Sequence, residues 1–67
     1  MKKVVSKNIN TIHYTPDSKV LEVTFNDGTK YHYHGVSQDA YSALEKAKSH
    51  GKHFIDNIKG KFPTKKV

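Results

Sequence analysis

The sequence contains no cysteine among its 67 residues, which excludes disulfide bonds and thiolate zinc sites as sources of stability. Long apolar runs are also missing, and no stretch approaches the roughly 20 apolar residues of a membrane-spanning helix. The basic start, residues 1–7, is not followed by the apolar segment that a secretion signal requires. We therefore expect a cytoplasmic protein that is neither exported nor inserted in a membrane.

Arginine is absent as well, so all twelve basic residues are lysine and the formal net charge is +6. Residues 44–67 carry seven of these lysines against two acids, Glu45 and Asp56. Such an excess attracts polyanions, but it also serves solubility, and the composition does not separate these two interpretations. Without guanidinium groups, a nucleic-acid complex would rest mainly on phosphate contacts, with strong salt dependence and modest sequence choice.

Three segments alternate apolar and polar residues with the period of a half-buried strand, and the chain length allows one domain with a small core. Asn26-Asp27-Gly28 separates the second and third segments and is a strong hairpin signal. A three-residue loop places Val23 opposite Tyr31 and Leu21 opposite Tyr33, whereas a two-residue loop turns both tyrosines outward. We therefore predict a meander with strands over 9–14, 19–25 and 29–34.

Two helices are predicted after Gly35. Ser37 is a favourable N-cap for a helix that runs to about Lys48, and a second helix is expected from about residue 51 to 59, ending at Gly60. The predicted fold class is α+β, a three-stranded antiparallel β-meander packed against two C-terminal helices. We assign residues 1–7 to a flexible basic arm, 8–63 to the domain and 64–67 to a frayed tail.

Catalytic and metal chemistry have little support in the sequence. The chain has no nucleophile elbow, no glycine-rich phosphate loop and no evident pair of acids, so we expect no enzymatic activity. His32 and His34, or His50 and His53, have spacings that suit metal ligands, but no third ligand is evident near either pair. We therefore expect neither a metal nor a cofactor, and we expect no small-molecule substrate.

Several short motifs occur along the chain in a characteristic order: Ile12-His13-Tyr14, Leu21-Glu22-Val23-Thr24-Phe25, Asp27-Gly28, Tyr31-His32-Tyr33, Gly35-Val36, Phe54-Ile55 and Ile58-Lys59-Gly60-Lys61-Phe62-Pro63. Over about residues 6–63 this pattern resembles the KTSC domain, a family of bacterial and phage proteins named for the C-terminus of some lysyl-tRNA synthetases. The central Tyr-x-Tyr of that family matches Tyr31 and Tyr33. The resemblance implies the fold, and its synthetase context implies RNA binding.

The predicted function is a non-enzymatic basic module that binds nucleic acid, RNA rather than DNA, through a lysine-rich surface. We expect the tyrosines to serve mainly in the core, so the predicted contacts are basic residues around the second helix and the Gly60 turn, where the helix start also offers backbone N–H groups to a phosphate. The alternative is an adaptor that binds a protein through a strand edge or an apolar patch. The candidate nucleic-acid contacts are Lys46, Lys48, Lys52, His53, Lys59 and Lys61.

Overall fold

One antiparallel sheet with two helices forms the fold in a computed structural model that describes residues 2–3 and 8–67. The strands follow chain order across the sheet: β1 (Lys2–Lys3), β2 (Ile9–Thr15), β3 (Val20–Phe25), β4 (Lys30–His34) and β5 (Thr64–Lys66). Helices α1 (Gln38–Lys46) and α2 (His50–Asn57) connect β4 to β5. The predicted α+β class and its three-stranded meander are confirmed, and a short strand extends the meander on each side.

The β3–β4 hairpin has the predicted register. Phe25 N donates to Thr29 O at 2.8 Å and Gly28 N donates to Phe25 O at 2.9 Å, which closes a three-residue loop. Gly28 has a φ of +91°, a conformation that a side chain at this position would disfavour. Val23 therefore pairs with Tyr31, and both tyrosines of the Tyr-x-Tyr motif lie on the apolar face of the sheet.

Strand β2 contains an irregularity that its sequence does not reveal. The partner of Ile9 is Phe25 and the partner of Thr11 is Thr24, so Asn10 is an extra residue in the β2 strand. This bulge shifts the alternation by one residue. As a result Ile9 and Ile12, three positions apart, are both buried on the same face.

Serine caps define both helix starts. Ser37 Oγ accepts from Ala40 N at 3.1 Å, as expected for the N-cap of α1. Helix α1 ends at Lys46, two residues before the predicted end, because Ala47 adopts an extended conformation. Ser49 Oγ then accepts from Lys52 N at 3.3 Å, so the segment predicted to break the first helix also starts the second. Among the described residues, no helix is long and apolar enough to cross a membrane.

The core lies between the helices and one face of the sheet. Leu44 from α1 and Phe54 from α2 pack onto the strand residues, with Tyr31 and Phe62 partly buried at the margin. The predicted core role of the tyrosines is confirmed, because Tyr33 is 3% exposed and Tyr31 packs against the buried cluster. The buried apolar residues are Ile9, Ile12, Leu21, Val23, Tyr33, Val36, Leu44, Phe54 and Ile58.

Both chain ends differ from the sequence-based picture. Instead of a frayed tail, residues 64–66 form β5, which pairs with β4, and His34 N donates to Pro63 O at 2.8 Å. Phe62 anchors this segment by packing on the core, a tertiary contact that the polar composition of the tail does not indicate. Within the predicted arm, residues 2–3 pair with Thr11 and Ile12, and residues 1 and 4–7 lie outside the described part of the chain.

Candidate nucleic-acid interface

The predicted lysines are exposed and fall into two groups, one at each end of α2. Lys46, Lys48 and Lys52 lie around the start of the helix, and Lys59 and Lys61 flank the Gly60 turn after its end. Helix α2 is eight residues long, so its two ends lie about 12 Å apart along its axis, and Lys52 lies within its first turn. Within residues 8–67 the only ion pair joins His32 to Glu22, so no carboxylate in this region forms an ion pair with these lysines.

His53 lies between the two groups and is half-buried. Asn57 Nδ2 approaches His53 Nδ1 at 3.4 Å and donates to the His53 carbonyl at 3.2 Å. This contact makes Nδ1 the acceptor, so Nε2 carries the proton of the neutral ring. The ring can therefore add a hydrogen-bond donor to the lysines.

The start of α2 offers less to a phosphate than the sequence suggests. The Lys52 N–H, one of those expected to be available there, donates to Ser49 Oγ, and His53 N donates to the Ser49 carbonyl. Nearby, His50 Nε2 donates to the Glu45 carbonyl at 3.1 Å, which ties the end of α1 to the start of α2. The cap bond therefore removes one N–H donor from the helix start, and the lysine side chains are the charged groups that this region presents to an anion.

A cavity of about 350 Å³ lies between the β3–β4 loop and α2, and no pattern in the sequence indicates it. Its polar lining includes Asp27 and Thr29 from the loop region and Lys59 from the segment after α2. The cavity forms where Gly51, Phe54 and Ile55 of α2 come against Phe25 and Tyr31 of the sheet, a tertiary contact that strand alternation does not indicate. The lining residues are Asn8, Ile9, Phe25, Asp27, Thr29, Tyr31, Tyr33, Gly51, Phe54, Ile55 and Lys59.

Four aromatic rings form a connected cluster in the wall of this cavity. Phe25 meets Tyr31 edge to face at a centroid distance of 5.7 Å, and meets Phe54 in the same way at 5.8 Å. Phe54 also meets Tyr33 at 5.3 Å. These perpendicular contacts are favourable ring geometries, and they fix the rings of the wall against one another.

The face of the sheet opposite the helices is polar. His13, Glu22, His32 and Lys65 form a row across strands β2 to β5. His32 Nε2 donates to Glu22 Oε2 at 2.9 Å, and both side chains are partly exposed. The hydrogen bond from His32 lowers the pKa of Glu22, although burial opposes the shift; the positive charge of Lys30 adds to the lowering.

This pair gives a testable pH effect. Because the pKa of Glu22 is lower in the folded state than in the unfolded state, the pair stabilises the fold above the unfolded pKa and loses its contribution as the pH falls through the folded pKa. Replacing His32 with alanine should raise the pKa of Glu22, measured by carboxyl NMR titration. His34→Ala is the matched control, because the His34 ring lies 6.4 Å from the His32 ring on the same strand. An unchanged Glu22 midpoint in His32→Ala would contradict this assignment.

The two histidine pairs considered as metal ligands have other contacts. His32 is bonded to Glu22, and His50 is bonded to a backbone carbonyl of α1. In the part of the chain that the structure describes, no group of three or more His, Cys, Asp or Glu side chains could hold a metal ion.

Comparison with known proteins identifies the family. The family model of the KTSC domain matches residues 5–62. An uncharacterised protein of Stutzerimonas stutzeri (strain A1501) is 38% identical over 56 residues, which cover 81% of this chain and 79% of that protein. The crystal structure of a KTSC domain protein from Yersinia pestis matches with a TM-score of 0.94 and 38% identity, covering 98% of this chain and 93% of that one. The chain belongs to the KTSC domain family, as its motifs indicated.

Proposed function

We propose that this protein is a non-enzymatic cytoplasmic module that binds single-stranded RNA through the lysines at the two ends of α2. The observation that carries the proposal is the set of five exposed lysines between residues 46 and 61, with no ion pair to them within residues 8–67. Exposed lysines without an ion pair can contact the phosphates of a polyanion directly and release the counterions bound to it. The net charge of +6 favours encounter with such a ligand.

The separation of the lysines into two groups favours an extended strand as the ligand. A strand that follows α2 can contact both groups, with His53 between them. RNA is preferred to DNA in this proposal because of the synthetase context of the KTSC family. The alternative of protein binding by strand addition has less support, because β5, the edge strand beside β4, is three residues long and carries two lysines. Short, lysine-rich edges disfavour pairing with another strand.

The proposal is tested by fluorescence anisotropy with a labelled twelve-nucleotide single-stranded RNA. We expect binding at 25 mM salt that weakens steeply towards 150 mM, because each lysine contact releases about 0.7 counterion from a single strand. A DNA strand of the same sequence should bind more weakly. Absence of binding at 25 mM salt, or affinity that does not change with salt, would contradict the proposal.

A further inference from the structure

We propose that the cavity between the β3–β4 loop and α2 holds one unpaired base of the bound RNA, with guanine preferred. This inference rests on the proposed function and specifies how the strand is held. The cavity volume of about 350 Å³ lies within the range of small-molecule sites. Lys59 lines this cavity and also belongs to the lysine group after α2, so a strand held by that group passes the cavity.

The aromatic wall suits a planar ligand. Phe25 and Tyr31 are only partly buried and line the cavity, so their rings are accessible from it, whereas Phe54 supports them from the core. Stacking of bases on aromatic side chains is a common feature of single-strand binding and tolerates any base.

The polar groups on the two sides of the cavity orient the base. The Asp27 carboxylate has a lowered pKa because it accepts hydrogen bonds from Thr29, so it is ionised at neutral pH and can only accept. The Asp27 carboxylate therefore favours a ligand with N–H donors on one edge, and guanine has two neighbouring N–H donors on a single edge. Lys59 can contact the phosphate attached to this base. The carboxylate thus selects the base edge and repels the phosphate towards Lys59.

An alkylammonium group is the main competing occupant, because aromatic rings beside a carboxylate can also bind a cation. The amine of Lys59 in the same lining and the net charge of +6 both disfavour a cationic ligand. Titration with tetramethylammonium separates the two ligands. Shifts of the Phe25 and Tyr31 ring resonances with this cation, and none with guanosine monophosphate, would overturn the proposal.

The decisive experiment compares a twelve-nucleotide RNA strand that contains guanosine with an abasic ribose-phosphate strand of the same length. We expect the abasic strand to bind the natural protein about 5- to 150-fold more weakly, the range that corresponds to one stacked base. Equal affinity for both strands would overturn the base site while leaving the lysine proposal intact. Failure of both strands to bind at 25 mM salt would instead contradict the proposed function.

Variants of Tyr31 then locate the stacked base. Tyr31→Leu should bind the guanosine-containing and abasic strands with similar affinity. Tyr31→Phe keeps the ring, so it should retain most of the difference in affinity between the two strands. Tyr41→Leu is the matched control, because it removes a tyrosine ring at a different place. Tyr41 stacks on Tyr14 at a centroid distance of 4.7 Å, and both rings line a different cavity. If Tyr41→Leu removes the difference and Tyr31→Leu does not, the base does not occupy this cavity.

Discussion

Replacing Lys52, Lys59 and Lys61 together with glutamine is expected to lower the affinity for single-stranded RNA about 100-fold at 0.1 M salt. Each lost phosphate contact lowers by about 0.7 the exponent with which affinity depends on salt, so three lost contacts lower it by about 2. At 0.1 M salt, a change of about 2 in this exponent corresponds to a factor of about 100 in affinity. The three side chains are exposed and have no ion pair in residues 8–67, so their replacement should change the free energy of unfolding little. Affinity is measured by anisotropy and stability by urea denaturation.

A control variant with the same change in charge shows whether position matters. Lys19, Lys30 and Lys65 are also exposed, and Lys30 and Lys65 lie on the face of the sheet opposite the helices. Replacing these three with glutamine should reduce affinity several-fold at most, through the change in net charge alone. An equal loss in both triple variants would mean that the net charge, and not the region of α2, attracts the RNA.

Replacing Leu44 with alanine is expected to lower the free energy of unfolding by about 2–5 kcal/mol. Leu44 is the one buried residue of α1 and is fully enclosed between the helix and the sheet. A domain of this size buries only about 60% of its unfolded surface, so one large cavity removes much of its stability. The melting temperature should fall by at least about 8 °C, measured by circular dichroism.

Ile55 offers the matched control for this truncation. It is also an aliphatic residue on a helix, but its side chain is 54% exposed. Ile55→Ala should therefore cost less than about 1 kcal/mol, because little apolar surface is buried there. Similar losses in Leu44→Ala and Ile55→Ala would contradict the packing of α1 against the sheet.

The hairpin and the core were predictable because local rules and side-chain alternation agree there. Asn26-Asp27-Gly28 permits a three-residue loop, and only that loop brings Leu21 and Val23 to the same face as Tyr31 and Tyr33. A one-residue slip of β4 would turn both tyrosines away from this face, so the sequence strongly disfavours the other register. Ser37 likewise predicted the start of α1 because its cap bond is local.

The features that the sequence did not reveal depend on contacts between distant segments. The bulge at Asn10 exists because Ile9 and Ile12 both enter the core, and strand β5 exists because Phe62 anchors the tail beside β4. The aromatic cavity requires α2 to lie against the β3–β4 loop. The lysines were found by composition, but their division between the two ends of α2 depends on where that helix begins and ends.

The salt dependence of RNA affinity, compared between the natural protein and the Lys52/Lys59/Lys61 glutamine variant, tests the central claim most directly. If the lysines around α2 contact phosphates, the slope of log affinity against log salt should be less steep in the variant by about 2. The control variant at Lys19, Lys30 and Lys65 should keep nearly the natural slope. Identical slopes for the natural protein and the first variant would show that the ends of α2 do not hold RNA.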